Sequence, residues 1–189
     1  MKIRSVGLNL SGGKGLAKFL SDSNFSTKFF YDWATLKLET YPETLTGAIE
    51  YLETFDDNFD AIVDIPFCFA YEYLYNKDNS TKFIYIKRDI DSWTQSFKNT
   101  QVRYSHSTSR SFEELFCNLY AETGKTNMQD LTEEEIRNIY TSHDAAVMSF
   151  FENKENFIMI ELSDSDISLK LKEFLSIDNE ITFTDLSVA

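Results

Sequence analysis

The sequence predicts a three-layer α/β/α fold with a central parallel sheet of about five strands. Short runs rich in β-branched and aromatic residues alternate with segments of helical periodicity, and this alternation is typical of a parallel sheet covered on both faces. Of the 189 residues, 42% are hydrophobic but only 2 are Pro and 6 are Gly, which argues against disorder and against an all-β fold. We therefore expect one domain, residues 1–189, with ligands bound at the carboxyl ends of the strands.

Five short runs predict the strands, because apolar, β-branched and aromatic residues dominate each of them. The run Lys82–Lys87, KFIYIK, has the strongest β pattern, and Pro66 closes the run that precedes it. In chain order the predicted strands are 3–8, 28–33, 59–65, 82–87 and 157–162. The last residues, 181–189, predict either an edge strand or a loose tail.

Helical periodicity and capping residues predict the helices between these strands. Thr44 precedes one apolar helical pattern, and Thr132 with three following glutamates suits the start of another. The predicted helices begin at residue 16 and then cover 45–55, 67–75, 92–104, part of 111–130, 131–151 and 167–175. The region 104–130 has no place in the sheet, so we expect it to form a helical cap over a site.

Composition restricts the partners of this acidic protein. The formal charge of −13, with no run of Lys or Arg, disfavours nucleic acid and anionic membrane surfaces. Cys68 and Cys117 lie in separate apolar contexts without metal-binding spacing, which predicts free thiols, no metal site and a reducing compartment. The absence of a long apolar stretch or a leader pattern then favours the cytoplasm. Composition does not indicate an oligomeric state.

The first predicted strand leads into a glycine loop, Ser11-Gly12-Gly13-Lys14-Gly15, and then into a helix. Glycines allow backbone amides to approach an anion, and the helix N-terminus favours negative charge, so this order is typical of P-loop nucleotide-binding proteins. The loop departs from the standard triphosphatase pattern, because Lys14 comes one place late and Gly15 replaces the magnesium-binding hydroxyl. The alternative is a flexible corner between strand and helix.

The segment KRDIDSWTQS places Arg88 at the end of a strand and Ser96 eight residues later on the next helix. It resembles the P-loop sulfotransferase family, in which such an Arg and Ser hold the 3′-phosphate of 3′-phosphoadenosine 5′-phosphosulfate (PAPS). FDAIVDIPFCFAYEYL and KFIYIKRDIDSWTQSF are similar to the family pattern D-A-x-x-D-x-P…K-x-I-x-x-x-R-D…W-x-x-S. Tyr140 and His143, followed by FIMIEL, are similar to the tail of that branch. The resemblance covers most of the chain, and 60–97 is its most specific block.

This resemblance implies a small, divergent sulfotransferase that moves a sulfuryl group from PAPS to a hydroxyl or amine of a small-molecule acceptor. The product would be 3′-phosphoadenosine 5′-phosphate (PAP), and no metal is required. The cofactor-binding residues that it implies are Ser11, Gly12, Gly13, Lys14, Gly15, Arg88 and Ser96.

The loop departs from the family pattern G-x-x-[RK]-[ST]-G-T-[TS]-[SW]-L. Leu10 stands at the basic position, both loop hydroxyls after Gly12 are lost, and the family's late Arg-Lys-Gly segment has no counterpart. A second hypothesis is therefore a catalytically degenerate P-loop domain that binds a nucleotide or a protein partner. A nucleotide kinase or triphosphatase is a third, disfavoured because Gly15 cannot hold magnesium.

Three residues are candidates for the base that takes the acceptor's proton. Asp64 ends a predicted central strand on the same rim as the glycine loop, and apolar neighbours would raise its pKa. His106 lies in a Ser/Thr-rich loop and is the next candidate, whereas His143 falls on the apolar face of a helix and is expected to be a packed, hydrogen-bonded residue. The cap at 104–130 would choose the acceptor.

Overall fold

The computed structural model describes residues 1–29, 44–54, 56–65, 67–104, 125 and 128–186, without the side chains of 102–104. The predictions for residues 30–33 of the second strand, for the cap at 105–124 and for His106, Pro66 and Cys117 therefore lie outside the described residues.

Within the described residues the protein contains one five-stranded sheet, and every strand pairing in it is parallel. The strands are β1 (Ile3–Ser5), β2 (Thr27–Phe29), β3 (Ala61–Val63), β4 (Lys82–Lys87) and β5 (Phe157–Glu161). The strand order is β2-β3-β1-β4-β5, so β1 is central. The predicted fold class is confirmed.

Six α-helices are described, together with three short 3₁₀ turns. Thr132 caps the helix that follows it with a reciprocal capping box to Glu135, and Thr44 caps the helix that begins at Leu45 by accepting a hydrogen bond from the amide of Gly47. The helices are α1 (Gly13–Asp22), α2 (Leu45–Glu53), α3 (Tyr71–Lys77), α4 (Ile90–Tyr104), α5 (Glu133–Phe150) and α6 (Ile167–Leu175). The 3₁₀ turns are Asp56–Asn58, Phe67–Phe69 and Met128–Asp130.

The two faces of the sheet carry different helices, because successive strand residues point to opposite sides. Ile84 and Ile86 of β4 pack with residues of α1 and α6 on one face. Phe83 and Tyr85 pack with residues of α2, α3 and α5 on the other. A third buried cluster surrounds Trp93 and includes the residues that follow β1 and β3. This arrangement produces the three layers and leaves the carboxyl rim of the sheet to α4 and α5.

Several predicted boundaries were wrong. The run 59–65 forms a strand only over Ala61–Val63, because the chain turns at Asp64 with a φ of 91°. The predicted helix 67–75 is a 3₁₀ turn followed by α3, which continues to Lys77. Residues 181–186 form neither an edge strand nor a loose tail, because Ile181 and Phe183 pack on the core without joining the sheet. None of the described helices combines the length and apolar character needed to cross a membrane.

Candidate functional site

Three neighbouring strands bring the predicted site residues to one rim. β1 lies between β3 and β4 and runs parallel to both. The glycine loop follows β1, Asp64 follows β3, and Arg88 follows β4, so residues far apart in sequence share the carboxyl end of the sheet. Ligands of open parallel sheets bind at this end.

The glycine loop has a conformation that depends on left-handed residues. Leu10 has a φ of 65° and Gly12 a φ of 84°. A Cβ at Gly12 would also lie 2.9 Å from Leu162 Cδ1 and 3.1 Å from Ile86 Cγ2, so both space and backbone require glycine here. The loop is a packed turn that enters α1, and the hypothesis of a flexible corner does not describe it.

The side chains of Trp93 on α4 and of Arg88, two residues before α4, hold two main-chain carbonyls at the start of the loop. The indole Nε1 of Trp93 donates to the carbonyl of Asn9 at 2.8 Å, and Arg88 Nη1 donates to the carbonyl of Leu10 at 2.9 Å. Trp93 is fully buried, which fixes its end of this contact. Because both carbonyls are hydrogen-bonded, the orientation of these two consecutive peptides is restrained.

His143 fixes the start of the same loop. Its Nε2 lies 2.7 Å from the carbonyl of Val6, so that nitrogen carries a proton and donates. The rings of Phe69, Tyr71 and Tyr85 pack edge-on against the imidazole, and burial lowers its pKa to about 4. His143 is therefore a neutral, hydrogen-bonded core residue, as its place on the apolar face of a helix predicts.

The start of α1 is an uncapped helix N-terminus. Its N-cap residue, Gly12, supplies no side-chain hydrogen bond, and the first turn contains no acidic residue. Ser11 precedes it, only 2% exposed, and its Oγ has no hydrogen-bond partner among the described residues. Free amides, a helix dipole and an unpaired buried hydroxyl together favour an anion. Lys14 is exposed beside them and makes no ion pair with any described residue.

Arg88 is half-buried between the loop and α4. Besides its contact with Leu10, its Nε donates to Ser92 Oγ at 2.8 Å. The resemblance implies that Arg88 and Ser96 hold the 3′-phosphate together; in the structure Arg88 contacts Ser92, and Ser96 lies one helical turn further along the same face. Asp89 starts α4 by accepting a hydrogen bond from the Ser92 amide at 2.9 Å.

Asp64 is buried on the other side of β1 and is only 4% exposed. Its carboxylate accepts a hydrogen bond from the amide of Ile65 at 2.8 Å, and its φ of 91° is a strained conformation for a residue other than glycine. Burial raises the pKa of Asp64 from 3.8 to about 7. Burial and the nearby Asp64 charge also raise the pKa of the free thiol of Cys68, which is therefore unreactive.

The C-terminal segment 177–186 packs across the first turn of α1. A Cβ at Gly15 would lie 2.4 Å from the carbonyl oxygen of Thr184 and 3.0 Å from Phe183 Cζ. The amide of Phe183 donates to Ser168 Oγ at 2.8 Å, which attaches the segment to α6. Gly15 is thus required by the packing of this segment, which explains why the loop lacks a side chain there.

The fold and site define an α/β protein whose central strand leads into a helix with an uncapped N-terminus, and the arginine that follows β4 is bound to the loop between them. Comparison with known families agrees. The sequence model of a family described as a sulfotransferase domain matches residues 22–177, which is most of the chain. The chain belongs to this sulfotransferase family. The glycine loop lies before the matched stretch, and no curated protein matches the chain.

The sequence did not predict the hydrogen bonds that Ser92, Trp93 and Tyr140 make around Arg88 and the glycine loop. Ser92 stands four residues after Arg88, a spacing that lets both side chains meet at the start of α4, so it was detectable in principle. The contacts of Trp93 and Tyr140 with main-chain carbonyls cross 84 and 52 residues, and no local pattern reports them.

Proposed function

We propose that this protein is an enzyme that transfers a sulfuryl group from PAPS to a hydroxyl or amine of a small-molecule acceptor. One observation carries the proposal: in a member of the sulfotransferase family, the uncapped N-terminus of α1 and the unpaired hydroxyl of Ser11 lie beside an arginine bound to the same loop. Such a set of donors suits a phosphate or sulfate ester.

The residues divide between the two ends of the donor. Ser11, Lys14 and the amides of Gly12–Gly15 would hold the 5′-phosphosulfate, and Arg88 with Ser96 would hold the 3′-phosphate. Fixed donors that stabilise the charge on the departing phosphate need little reorganisation during the reaction. Arg88 Nε and one N–H of Nη1 already hold Ser92 and Leu10, which leaves the second N–H of Nη1 and both of Nη2 for a ligand among the contacts described.

Asp64 would act as the base. A carboxyl whose pKa is about 7 is partly ionised at neutral pH and accepts a proton efficiently. In the transfer the acceptor oxygen or nitrogen forms a bond to sulfur, the bond between sulfur and the bridging phosphate oxygen breaks, and the acceptor's proton passes to the Asp64 carboxylate. PAP leaves with the bridging oxygen. His106 is the second candidate base.

The second candidate function is a degenerate domain that binds a nucleotide or a protein partner without catalysis. Two features favour it: Leu10 lacks a charge, and the segment 177–186 packs against Gly15 where a longer side chain would stand. In either case we expect no nucleic-acid or membrane partner, because the protein carries a charge of −13. We propose a cytoplasmic location, where the free thiol of Cys68 stays reduced.

A thermal-shift screen with PAP, ATP and GTP tests the donor class. Stabilisation by PAP alone is the expected result, because a ligand that binds only the folded protein raises its melting temperature. Arg88→Ala should weaken PAP binding about 10- to 100-fold, and Arg88→Lys by less, since a charge-assisted hydrogen bond contributes about 1.5–3 kcal/mol. No response to any of the three nucleotides would favour the degenerate domain.

Activity separates the enzyme from a binding protein. With PAPS and a panel of hydroxyl and amine acceptors, Asp64→Asn should leave PAP affinity within a few fold but reduce transfer about 100-fold or more. If this variant transfers the sulfuryl group at the parental rate, Asp64 is not the base. His106 is then the remaining candidate, and His106→Ala tests it.

A further inference from the structure

Arg88 is held from two directions. Its side chain joins the loop to α4, and its own carbonyl accepts a hydrogen bond from the hydroxyl of Tyr140 on α5. The sheet ladder ends one residue earlier, where the amide of Leu162 donates to the carbonyl of Lys87 at 2.7 Å. The hydrogen bonds of the sheet therefore end at Lys87. At the next residue, Arg88, it is Tyr140 that holds the main-chain carbonyl.

Tyr140 is itself rigid. It is 3% exposed, and its ring packs against Trp93 with centroids 5.0 Å apart. Its hydroxyl lies next to that of Tyr85, which donates its own proton to Asp144 at 3.1 Å. Lys87 neutralises that carboxylate at 3.0 Å. Burial raises the pKa of Tyr140 to about 12, so the hydroxyl remains a donor throughout the physiological range.

We propose that Tyr140 is a positioning residue of the donor site, which acts on the bound 3′-phosphate through Arg88 by fixing the main chain from which the guanidinium projects. The inference rests on the proposed function. A ligand-binding side chain gives full affinity only when its own neighbours hold it in place, because otherwise binding must also pay for ordering it. Ser92 and Leu10 orient the guanidinium, and Tyr140 alone among the described side chains binds the Arg88 carbonyl.

A double-mutant cycle on PAP affinity, measured by isothermal titration calorimetry, tests this role. Tyr140→Phe keeps the ring and its packing on Trp93 but removes the hydroxyl. We expect it to weaken PAP binding about 3- to 10-fold in the parental protein, the range of one hydrogen bond. In the Arg88→Ala background the same change should alter affinity by less than about twofold, because Tyr140 then has no guanidinium to position.

Tyr71→Phe is the matched control. Tyr71 is also a buried tyrosine next to this cluster, where it packs on His143, but it makes no contact with Arg88. It should leave PAP affinity unchanged, and urea unfolding of both variants checks that a loss of affinity in Tyr140→Phe is not a loss of folded protein. If Tyr140→Phe does not fold, Tyr85→Phe removes the hydroxyl that contacts Tyr140, and a smaller loss that again disappears with Arg88→Ala is expected.

The outcomes separate the two proposals. Equal losses from Tyr140→Phe with and without Arg88 would overturn the positioning role but leave the donor site intact. If Arg88→Ala itself does not change PAP affinity, the proposed function fails, and the inference fails with it.

Discussion

Replacing Asp64 with Asn should change the pH dependence of stability as well as activity. The folded protein holds a proton on Asp64 more tightly than the unfolded chain does, because burial raises the pKa from 3.8 to about 7. Between these values the folded state binds more protons, so the contribution of Asp64 to the free energy of unfolding is complete below pH 4 and is lost as the pH rises through 7. Asn cannot ionise, so the free energy of unfolding of the Asp64→Asn variant does not fall in this way as the pH rises.

The magnitude follows from the two pKa values. They differ by about three pH units, and each unit corresponds to about 1.4 kcal/mol, so the parental protein should lose up to about 4 kcal/mol between pH 4 and pH 8 relative to Asp64→Asn. Asn retains an oxygen that can accept the hydrogen bond from Ile65. The new amide donors change absolute stability equally at both pH values, and the comparison across pH cancels that cost.

Urea unfolding of both proteins at pH 4.5, 6 and 8 measures the effect. The difference in the free energy of unfolding between the variant and the parent should move in favour of Asp64→Asn by several kcal/mol as the pH rises. Asp22→Asn is the control, because Asp22 forms only an exposed pair with Lys18 and should contribute less than about 1 kcal/mol at any pH. A pH-independent difference for Asp64→Asn would refute the raised pKa and remove the main argument for Asp64 as the base.

Three further variants test other parts of the structure. Arg4→Ala should lower the free energy of unfolding by about 3 kcal/mol in urea, because the buried carboxylate of Asp56 then keeps, among the described residues, only Lys77 at 3.4 Å; a loss below about 1 kcal/mol would contradict this. Lys14→Ala should weaken PAP binding about 3- to 10-fold in low salt and less in high salt, and equal affinities by calorimetry would show that Lys14 faces away. Gly15→Ala should displace Thr184 and raise the rate of chymotrypsin cleavage in 177–186 about tenfold, whereas an unchanged rate would mean that the segment adapts to the added Cβ.

Local chemistry predicted the elements that it controls. KFIYIK forms a strand over Lys82–Lys87, and Thr132 forms the capping box, because the β pattern and the N-cap act within a few residues. The rim that collects Asp64 and Arg88 followed from the direction of parallel strands. The break at Asp64 did not follow, since a non-glycine residue with positive φ is held by its surroundings rather than by its own preference.

The site was predicted less completely, for a physical reason. The resemblance supplied Arg88, but the contacts that hold it come from residues whose positions depend on how α4 and α5 pack. A hydrogen bond from a distant side chain to a main-chain carbonyl carries no residue-type signal at the acceptor, because every residue has a carbonyl. Leu10 and Asn9 are examples, since their carbonyls rather than their side chains receive Arg88 and Trp93.

The contact between Gly15 and Thr184 restricts how this loop can evolve. A hydroxyl-bearing residue at position 15 would bring its Cβ to 2.4 Å from a main-chain oxygen, and no substitution at position 184 removes that oxygen. A loop with a hydroxyl at this position would therefore need the segment 177–186 to be rerouted first. Positions 15 and 183–184 are therefore coupled, and a substitution in the loop should be tolerated only together with a change in the path of this segment.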